Sequence, residues 1–322
     1  MNDIPELESI HVVVAIIKNS KHEVLVSRRK SDTHLGDLLE FPGGKVEKNE
    51  TSANSLRREL LEELNIQLIK STPLIQVPYV YSDRKILLDA YLVSEYSGGV
   101  TAHEGQKIYW KSIDSLNDDD FPAANYGLIR ALKLPKIFPV TPSYSQDPGN
   151  FLMKFENVVS QDSVNIIQLR SHELGSSEYM KLAKKCAILC GDYEVQLILN
   201  SEVNSLNESQ IAGMHLTSNK LLSTKTRPLD ATKLVGASCH DQKEVEHANM
   251  LGLDYIFIGP VIEKNFSENS KTLEWDGFAA LSKHSLIPAY AIGGLSESDI
   301  GVCVNYGGQG IAAIRSFWDL AT

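Results

Sequence analysis

The chain has 322 residues, 43% of them hydrophobic and 22% charged, which excludes a disordered polymer and points to two domains or one barrel with an added piece. Lys and Arg number 31 against 41 Asp and Glu, a net charge of −10. Such an acidic balance excludes a general grip on a nucleic-acid polymer, but leaves room for a small anionic substrate screened by a divalent cation. No apolar run approaches the roughly 20 residues of a membrane helix. Residues 1–9 carry three acids and no basic residue, unlike a secretory signal. Four cysteines (Cys186, Cys190, Cys239, Cys303) do not make a disulfide framework. Cys186 and Cys190 stand four apart, a spacing that allows a metal pair, but two reduced thiols near a core are the expectation. A cytoplasmic protein is expected, and nothing in the sequence fixes an oligomeric state.

In chain order, residues 12–17 and 23–27 read as strands joined by a polar turn over 18–22. A loop then ends in Glu40-Phe41-Pro42-Gly43-Gly44. Residues 51–64 follow with a helical period, with Ala53, Leu56, Leu60 and Leu64 forming an apolar stripe. Strands return at 74–81, 85–94 and 107–111, and a short helix at 125–132 closes an α+β unit. Pro135, Pro139, Pro142 and Pro148 mark a change of rhythm, and the boundary is placed at residue 134, giving domains 1–134 and 135–322. Beyond it, eight short apolar runs (137–140, 166–169, 195–199, 213–216, 234–237, 255–258, 289–292, 311–314) alternate with helical stretches at 177–189, 242–251 and 275–282. This alternation predicts an α/β TIM-type (β/α)₈ barrel, with a doubly wound open sheet as the alternative.

Glu59, Glu62 and Glu63 carry the strongest chemical signal. At i, i+3 and i+4 of a helix, three carboxylates share one face, which is unfavourable unless a cation or bases answer them. Arg57 and Arg58 could do so on a solvated face. Hard oxygen donors equally suit Mg²⁺ or Mn²⁺, and the upstream Gly43-Gly44 turn lets backbone approach a ligand closely. Gly44, Glu50 and the run Arg58-Glu59-Leu60-Leu61-Glu62-Glu63-Leu64-Asn65-Ile66 together resemble the Nudix box, with Asn65 where the late glycine would stand. Asparagine is the next most tolerant residue of a left-handed helix end. Phe41-Pro42-Gly43-Gly44-Lys45 and Asp119-Asp120-Phe121-Pro122-Ala123-Ala124-Asn125 extend the likeness to the MutT branch of that family over about residues 10–134.

That resemblance implies a mixed sheet with a catalytic helix, and Mg²⁺ held by Glu59, Glu62, Glu63 and Glu104 together with Gly44. It implies Glu59 as the general base, with Glu104 as the other candidate and Arg58 orienting the box glutamates. Arg29, Glu40, Phe41 and Asn125 would read the base: an asparagine offers donor and acceptor, and a phenylalanine offers a face. Each also has a plain structural reading: Phe41 as core, Arg29 as a surface cation, Asn125 as a helix cap.

In the second domain, Ile167-Gln168-Leu169-Arg170, Gly213-Met214-His215-Leu216, Gly259-Pro260 and Ala291-Ile292-Gly293-Gly294 resemble thiamine-phosphate synthase and its TenI-like relatives over about residues 136–318. Gly293 and Gly294, after the seventh strand, are where barrels often cradle a phosphate. The chain departs from that family's pattern at Ser171-His172, Asn200-Ser201-Glu202, Thr217-Ser218-Asn219-Lys220 and Glu263-Lys264-Asn265-Phe266. By the resemblance, these positions would carry metal carboxylates and a pyrophosphate clamp, so a degenerate barrel that binds a small phosphorylated ligand is expected. His215 and His240 lie at strand ends and have the chemistry for acid–base work, although lone histidines usually satisfy local hydrogen bonds.

The leading expectation is Mg²⁺-dependent hydrolysis of nucleoside triphosphates, 8-oxo-dGTP first among them, to monophosphate and diphosphate. The alternatives are another diphosphate substrate (a sugar nucleotide or a thiamine-related compound) and a protein whose working part is the barrel.

Overall fold

The computed structural model describes residues 7–31, 35–103, 105–200, 211–262 and 272–319. The chain divides into two compact units, Met1–Leu134 and Pro135–Thr322.

The first unit begins with β1 (Glu8–Ile17), β2 (Glu23–Arg28), β3 (Leu39–Glu40) and β4 (Gly43–Lys45). Helix α1 (Ser52–Leu64) follows, then the long strands β5 (Gln67–Val80) and β6 (Arg84–Ser97), β7 (Ile108–Ser112) and helix α2 (Tyr126–Lys133). One sheet has the order β4-β1-β6-β5 and the other β3-β2-β7. β1 runs parallel to β6 while β4 and β5 run antiparallel to their neighbours, so the larger sheet is mixed. Helix α1 starts because the Thr51 hydroxyl accepts from the Asn54 N–H at 3.3 Å. It stops at Asn65, which is left-handed (φ 54°, ψ 38°). The Asn65 and Ile66 N–H groups close back on Leu61 and Leu60 carbonyls at 3.1 and 3.3 Å. Leu56, Leu60 and Leu64 are fully buried against Val13, Ala15 and Ile17 of β1, each contributing about 1.5–3 kcal/mol. Ala53, expected in that stripe, is exposed. Ser55 is buried in its stead, its hydroxyl donating to the Lys45 carbonyl at 3.2 Å.

The second unit contains β8 (Ile137–Pro139), α3 (Phe151–Val159), β9 (Ile166–Leu169), α4 (Ser176–Asp192), β10 (Gln196–Leu199), β11 (Gly213–Leu216) and α5 (Ser218–Ser223). It continues through β12 (Leu234–Cys239), α6 (Gln242–Met250), β13 (Tyr255–Ile258), α7 (Glu274–Ser282), β14 (Ala289–Ile292), α8 (Ile300–Asn305), β15 (Gly310–Ala313) and α9 (Arg315–Trp318). The eight strands are all parallel in the order β8-β15-β14-β13-β12-β11-β10-β9. A bridge between Val140 and Gln168 brings the two ends of the sheet together, so the sheet is a nearly closed barrel rather than an open doubly wound one. Both faces of such strands are covered, which is why they read as unbroken apolar runs. The interior is packed with rings: Phe138 lies 4.9, 5.0 and 5.5 Å from Tyr255, Phe257 and Tyr290. All four cysteines are free and buried. Burial raises the Cys186 thiol and pushes that of Cys190 up to about 12, favouring the protonated thiols. Among the described residues no helix is long and apolar enough to cross a membrane.

Candidate functional site

The turn before α1 fixes the geometry of the first site. β4 pairs with β1 through Val13 and Gly44, which presses the Gly-Gly turn onto the helix. A Cβ on Gly44 would collide with the Glu59 carboxyl group, so only glycine lets that carboxylate lie against the strand. One turn along, the Glu63 carboxylate accepts the Gly43 N–H at 3.0 Å. Two box glutamates thus meet the turn directly, as helical i and i+4 positions on one face should.

Arg58 organises the remainder. Its Nε and Nη2 donate to the two Glu50 oxygens at 3.1 and 2.9 Å. Nη1 donates to Glu59 at 2.7 Å and to Glu62 at 3.1 Å, and Nη2 also reaches the Lys45 carbonyl at 3.0 Å. The hydrogen bonds from Arg58 hold the Glu50 carboxyl down at about 2. Those to Glu50, and then to Glu59 and Glu62, raise the guanidinium further above its ordinary value. Glu59 has 14% of its side chain exposed and Glu62 52%, so the face is graded from turn to solvent.

Three carboxylates of a hard-donor type on one face fit a divalent cation chemically. Among the described residues, however, no three His, Cys, Asp or Glu side chains are drawn together as an ion cage. Arg58 and the Gly43 N–H hold the glutamates instead. Glu104 lies outside the described residues. The chain beside it is tied to the end of α1: the His103 N–H and the Gln106 Nε2 both donate to the Glu63 carbonyl, at 2.9 and 3.2 Å.

Of the residues expected to read the base, Arg29, Glu40 and Phe41 precede the Gly-Gly turn, whereas Asn125 ends the short turn before α2. Arg29 is ion-paired with Glu40, which sits opposite Ser27 in the β2–β3 ladder. Burial raises the Glu40 carboxyl, against the opposing pull of Arg29. Phe41 is 5% exposed and its ring stacks on Phe121 at 5.2 Å, so the phenyl face expected to receive a base is already covered. Asn125 is 9% exposed and precedes α2, yet its side chain caps nothing there. Its Nδ2 donates to the Pro122 carbonyl at 3.3 Å. Sequence reasoning missed Tyr81, whose hydroxyl accepts the Ala124 N–H at 3.3 Å from 43 residues away. It also missed Phe121 as the partner of Phe41. Nothing local in the sequence signals either contact.

In the barrel, two cavities open at the C-terminal ends of the strands. The larger, of about 660 Å³, is lined by Gly293, Gly294, Ser296, Ala313 and Arg315 among others. Gly294 is left-handed (φ 66°), and a Cβ there would run into the Ile262 carbonyl. The second, of about 500 Å³, has Arg170, His172, Ser238 and His240 in its wall. His215 is 2% exposed and bonded to Ser238 Oγ at 2.9 Å and Tyr255 Oη at 3.3 Å. Burial pushes it down to about 3, which favours the neutral ring. His240 is paired with the buried Glu244, Nδ1 to Oε2 at 3.0 Å. Ser171 is 6% exposed and bonded to Glu173 at 2.7 Å, so the nearest acid after Arg170 is engaged within its own loop. Ser201, Glu202 and residues 263–266 lie outside the described residues.

The mixed sheet with its carboxylate helix makes the first unit a Nudix-type fold, and the second is a TIM-type barrel. The model of the NUDIX domain matches residues 13–131, and that of thiamine monophosphate synthase matches residues 137–317. The 8-oxo-dGTP diphosphatase of Escherichia coli (strain K12) is 39% identical over 127 residues, covering 39% of this chain and 98% of that protein. The 8-oxo-dGTP diphosphatase of Buchnera aphidicola is 39% identical over 114 residues, 35% of this chain and 90% of its own. The thiamine-phosphate synthase of Fusobacterium nucleatum is 29% identical over 184 residues, 57% of this chain and 89% of its own. The chain belongs to the Nudix family over its first unit and to the thiamine monophosphate synthase family over its second. Its first unit is a Nudix pyrophosphohydrolase, of a family that acts on small nucleotides and generally needs a divalent metal.

Proposed function

We propose that the first unit hydrolyses 8-oxo-dGTP to 8-oxo-dGMP and diphosphate with Mg²⁺, cleansing the nucleotide pool. The observation that carries this reading is the Glu59 carboxylate resting on Gly44, with Glu63 bonded to the same turn. Glu59, Glu62, Glu63 and Glu104, with Gly44, would hold the ion. A divalent cation there would supply charge neutralisation and polarise phosphoryl oxygen as a Lewis acid. Glu59 takes the proton of the attacking water, which is too weak a nucleophile unaided. Arg58 keeps Glu59 and Glu62 from repelling each other and orients Glu59. Bonding to the Glu63 carbonyl on both sides of position 104 supports a place for Glu104 in the set.

For the base, 8-oxoguanine carries an N–H at N7 where guanine has a lone pair. One N–H of the Asn125 amide is given to Pro122, and its carbonyl oxygen suits a donor. Arg29 and Glu40 would frame the ring, and Phe41, stacked beneath by Phe121, supports the segment. The barrel is proposed to bind a small phosphorylated ligand at Gly293 and Gly294 without forming thiamine phosphate. Four free, buried cysteines suit the reducing cytoplasm.

The test is steady-state hydrolysis by the full chain of 8-oxo-dGTP, dGTP, ADP-ribose and thiamine pyrophosphate, with Mg²⁺. 8-oxo-dGTP should lead in kcat/KM. Glu59→Gln keeps shape while removing charge, so the circular dichroism spectrum should persist while turnover falls by about two orders of magnitude or more. Near-normal turnover in that variant would remove Glu59 from the chemistry.

A further inference from the structure

Tyr81 stands outside every motif that the sequence offers, yet it is tied to the turn that carries Asn125. It follows β5 at the hairpin to β6, where its own N–H donates to the Arg84 carbonyl at 2.8 Å. Its ring is 4.7 Å from that of Tyr79, tilted by 54°. The residue is half-buried, and its hydroxyl accepts the Ala124 N–H at 3.3 Å. The short turn Ala123–Asn125 packs on β5 and β6. Within it the Asn125 N–H donates to the Pro122 carbonyl at 2.8 Å and the Asn125 amide donates to that same carbonyl at 3.3 Å. Both of those bonds are internal to the segment, as is the link from the Tyr126 N–H to the Ala123 carbonyl, which joins the turn to α2. The bond to Tyr81 joins it to the sheet. Burial raises the Tyr81 phenol, with Arg29 among the charges that pull it back, so hydroxyl and guanidinium are electrostatic neighbours.

We infer that Tyr81 is a positioning residue for base discrimination: its hydroxyl, gripping the Ala124 N–H, fixes where the Asn125 carboxamide stands relative to the substrate base. The inference rests on the proposed base-reading role of Asn125 and deepens it. Discrimination by one amide needs placement within tenths of an ångström, because the difference between donor and lone pair at N7 is felt only at hydrogen-bond range. A phenylalanine at position 81 would keep the ring against Tyr79 and lose only the anchor.

A double-mutant cycle with the full chain tests this. The readouts are kcat/KM for 8-oxo-dGTP and dGTP and the melting temperature of each variant. Tyr81→Phe should lower the ratio of the two kcat/KM values by about three- to tenfold, the size of one lost hydrogen bond. Asn125→Ala should lower it further. In the Asn125→Ala background, adding Tyr81→Phe should change the ratio less than twofold, because Tyr81 acts through Asn125. If Asn125→Ala alone leaves the ratio unchanged, the base-reading proposal fails. If Asn125→Ala lowers it and Tyr81→Phe does not, or if their effects multiply, the positioning role of Tyr81 fails. A fall in melting temperature with equal losses on both nucleotides would also overturn it, leaving a structural residue.

Discussion

A histidine on a barrel strand is a base or a packing residue according to what surrounds its ring. His215 has both nitrogens engaged, by Ser238 and Tyr255, and its ring lies 4.4 Å from Phe257. Protonation would place a charge among these buried rings and near His172, which is why it is pushed from 6.5 down to about 3. The sign of the consequence follows from linkage. The unfolded chain takes up the proton near pH 6.5 and the folded one does not, so stability is full above that pH and declines as pH falls from 6.5 towards 3. One such proton is worth about 2 kcal/mol between pH 7 and 5, or roughly 4–8 °C in the melting of a unit this size. Nuclear magnetic resonance titration of the His215 ring should show no protonation above about pH 4. A ring titrating near 6.5 would contradict this account. The sequence placed His215 at a strand end but could not say that both of its nitrogens were spoken for. Those partners arrive from 23 and 40 residues away. Phe41 teaches the same lesson, because its neighbour Phe121 lies 80 positions on in the sequence.

At the scale of elements, helix α1 was legible because its signals are local. Thr51 caps it, the spacing of Leu56, Leu60 and Leu64 buries it, and Asn65 ends it. The eight barrel strands were legible for a different reason: each is an apolar run short enough to be one buried strand. Residues 166–169, 213–216, 255–258 and 289–292 coincide with β9, β11, β13 and β14. The start of β5 was not legible. Its first residues, Gln67 to Pro73, mix polar and apolar side chains, are mostly exposed, and include register shifts around Leu68 to Ser71. Helices α5, α8 and α9, of six residues or fewer, give too little of a 3.6 period to be read from the sequence. The end of α1 carries a prediction. Asn65 holds φ at 54°, a region that costs most side chains about 1–2 kcal/mol and glycine nothing. Asn65→Ala should therefore destabilise the first unit by about 1 kcal/mol, while Asn65→Gly should leave it as stable or slightly more so. Urea denaturation followed by circular dichroism measures both. An alanine variant as stable as the parent would show that the left-handed end carries no strain.

At the scale of the whole molecule, binding and chemistry should come apart in the barrel. The glycines after β14 keep backbone beside the 660 Å³ cavity, and a phosphate held by backbone needs no metal. A pyrophosphate-releasing reaction asks for more, because charge that develops on the leaving group must be met by fixed cations or a metal. Where the family pattern calls for such groups the chain has Ser171, Ser201 and Lys220, with Glu263-Lys264-Asn265-Phe266 in the clamp position. Ser171 is turned to Glu173, and Glu173 is held down at about 2: partial desolvation would raise it, but hydrogen bonds from Ser143 and Ser171 outweigh that. The acid closest to Arg170 is therefore occupied in shaping its own loop. The Glu59→Gln chain is the right material for the test, since it retains both units and, on the proposed role of Glu59, should consume a diphosphate substrate through the first at least about a hundredfold more slowly. A phosphorylated thiazole at 100 times its dissociation constant should add about 2.7 kcal/mol to the barrel, raising its melting temperature by roughly 5–10 °C. The same chain, given thiazole phosphate, pyrimidine pyrophosphate and Mg²⁺, should yield no thiamine phosphate by chromatography. Clear product would refute the loss of chemistry, and no thermal shift with phosphorylated thiazole or thiamine compounds would refute the retained binding.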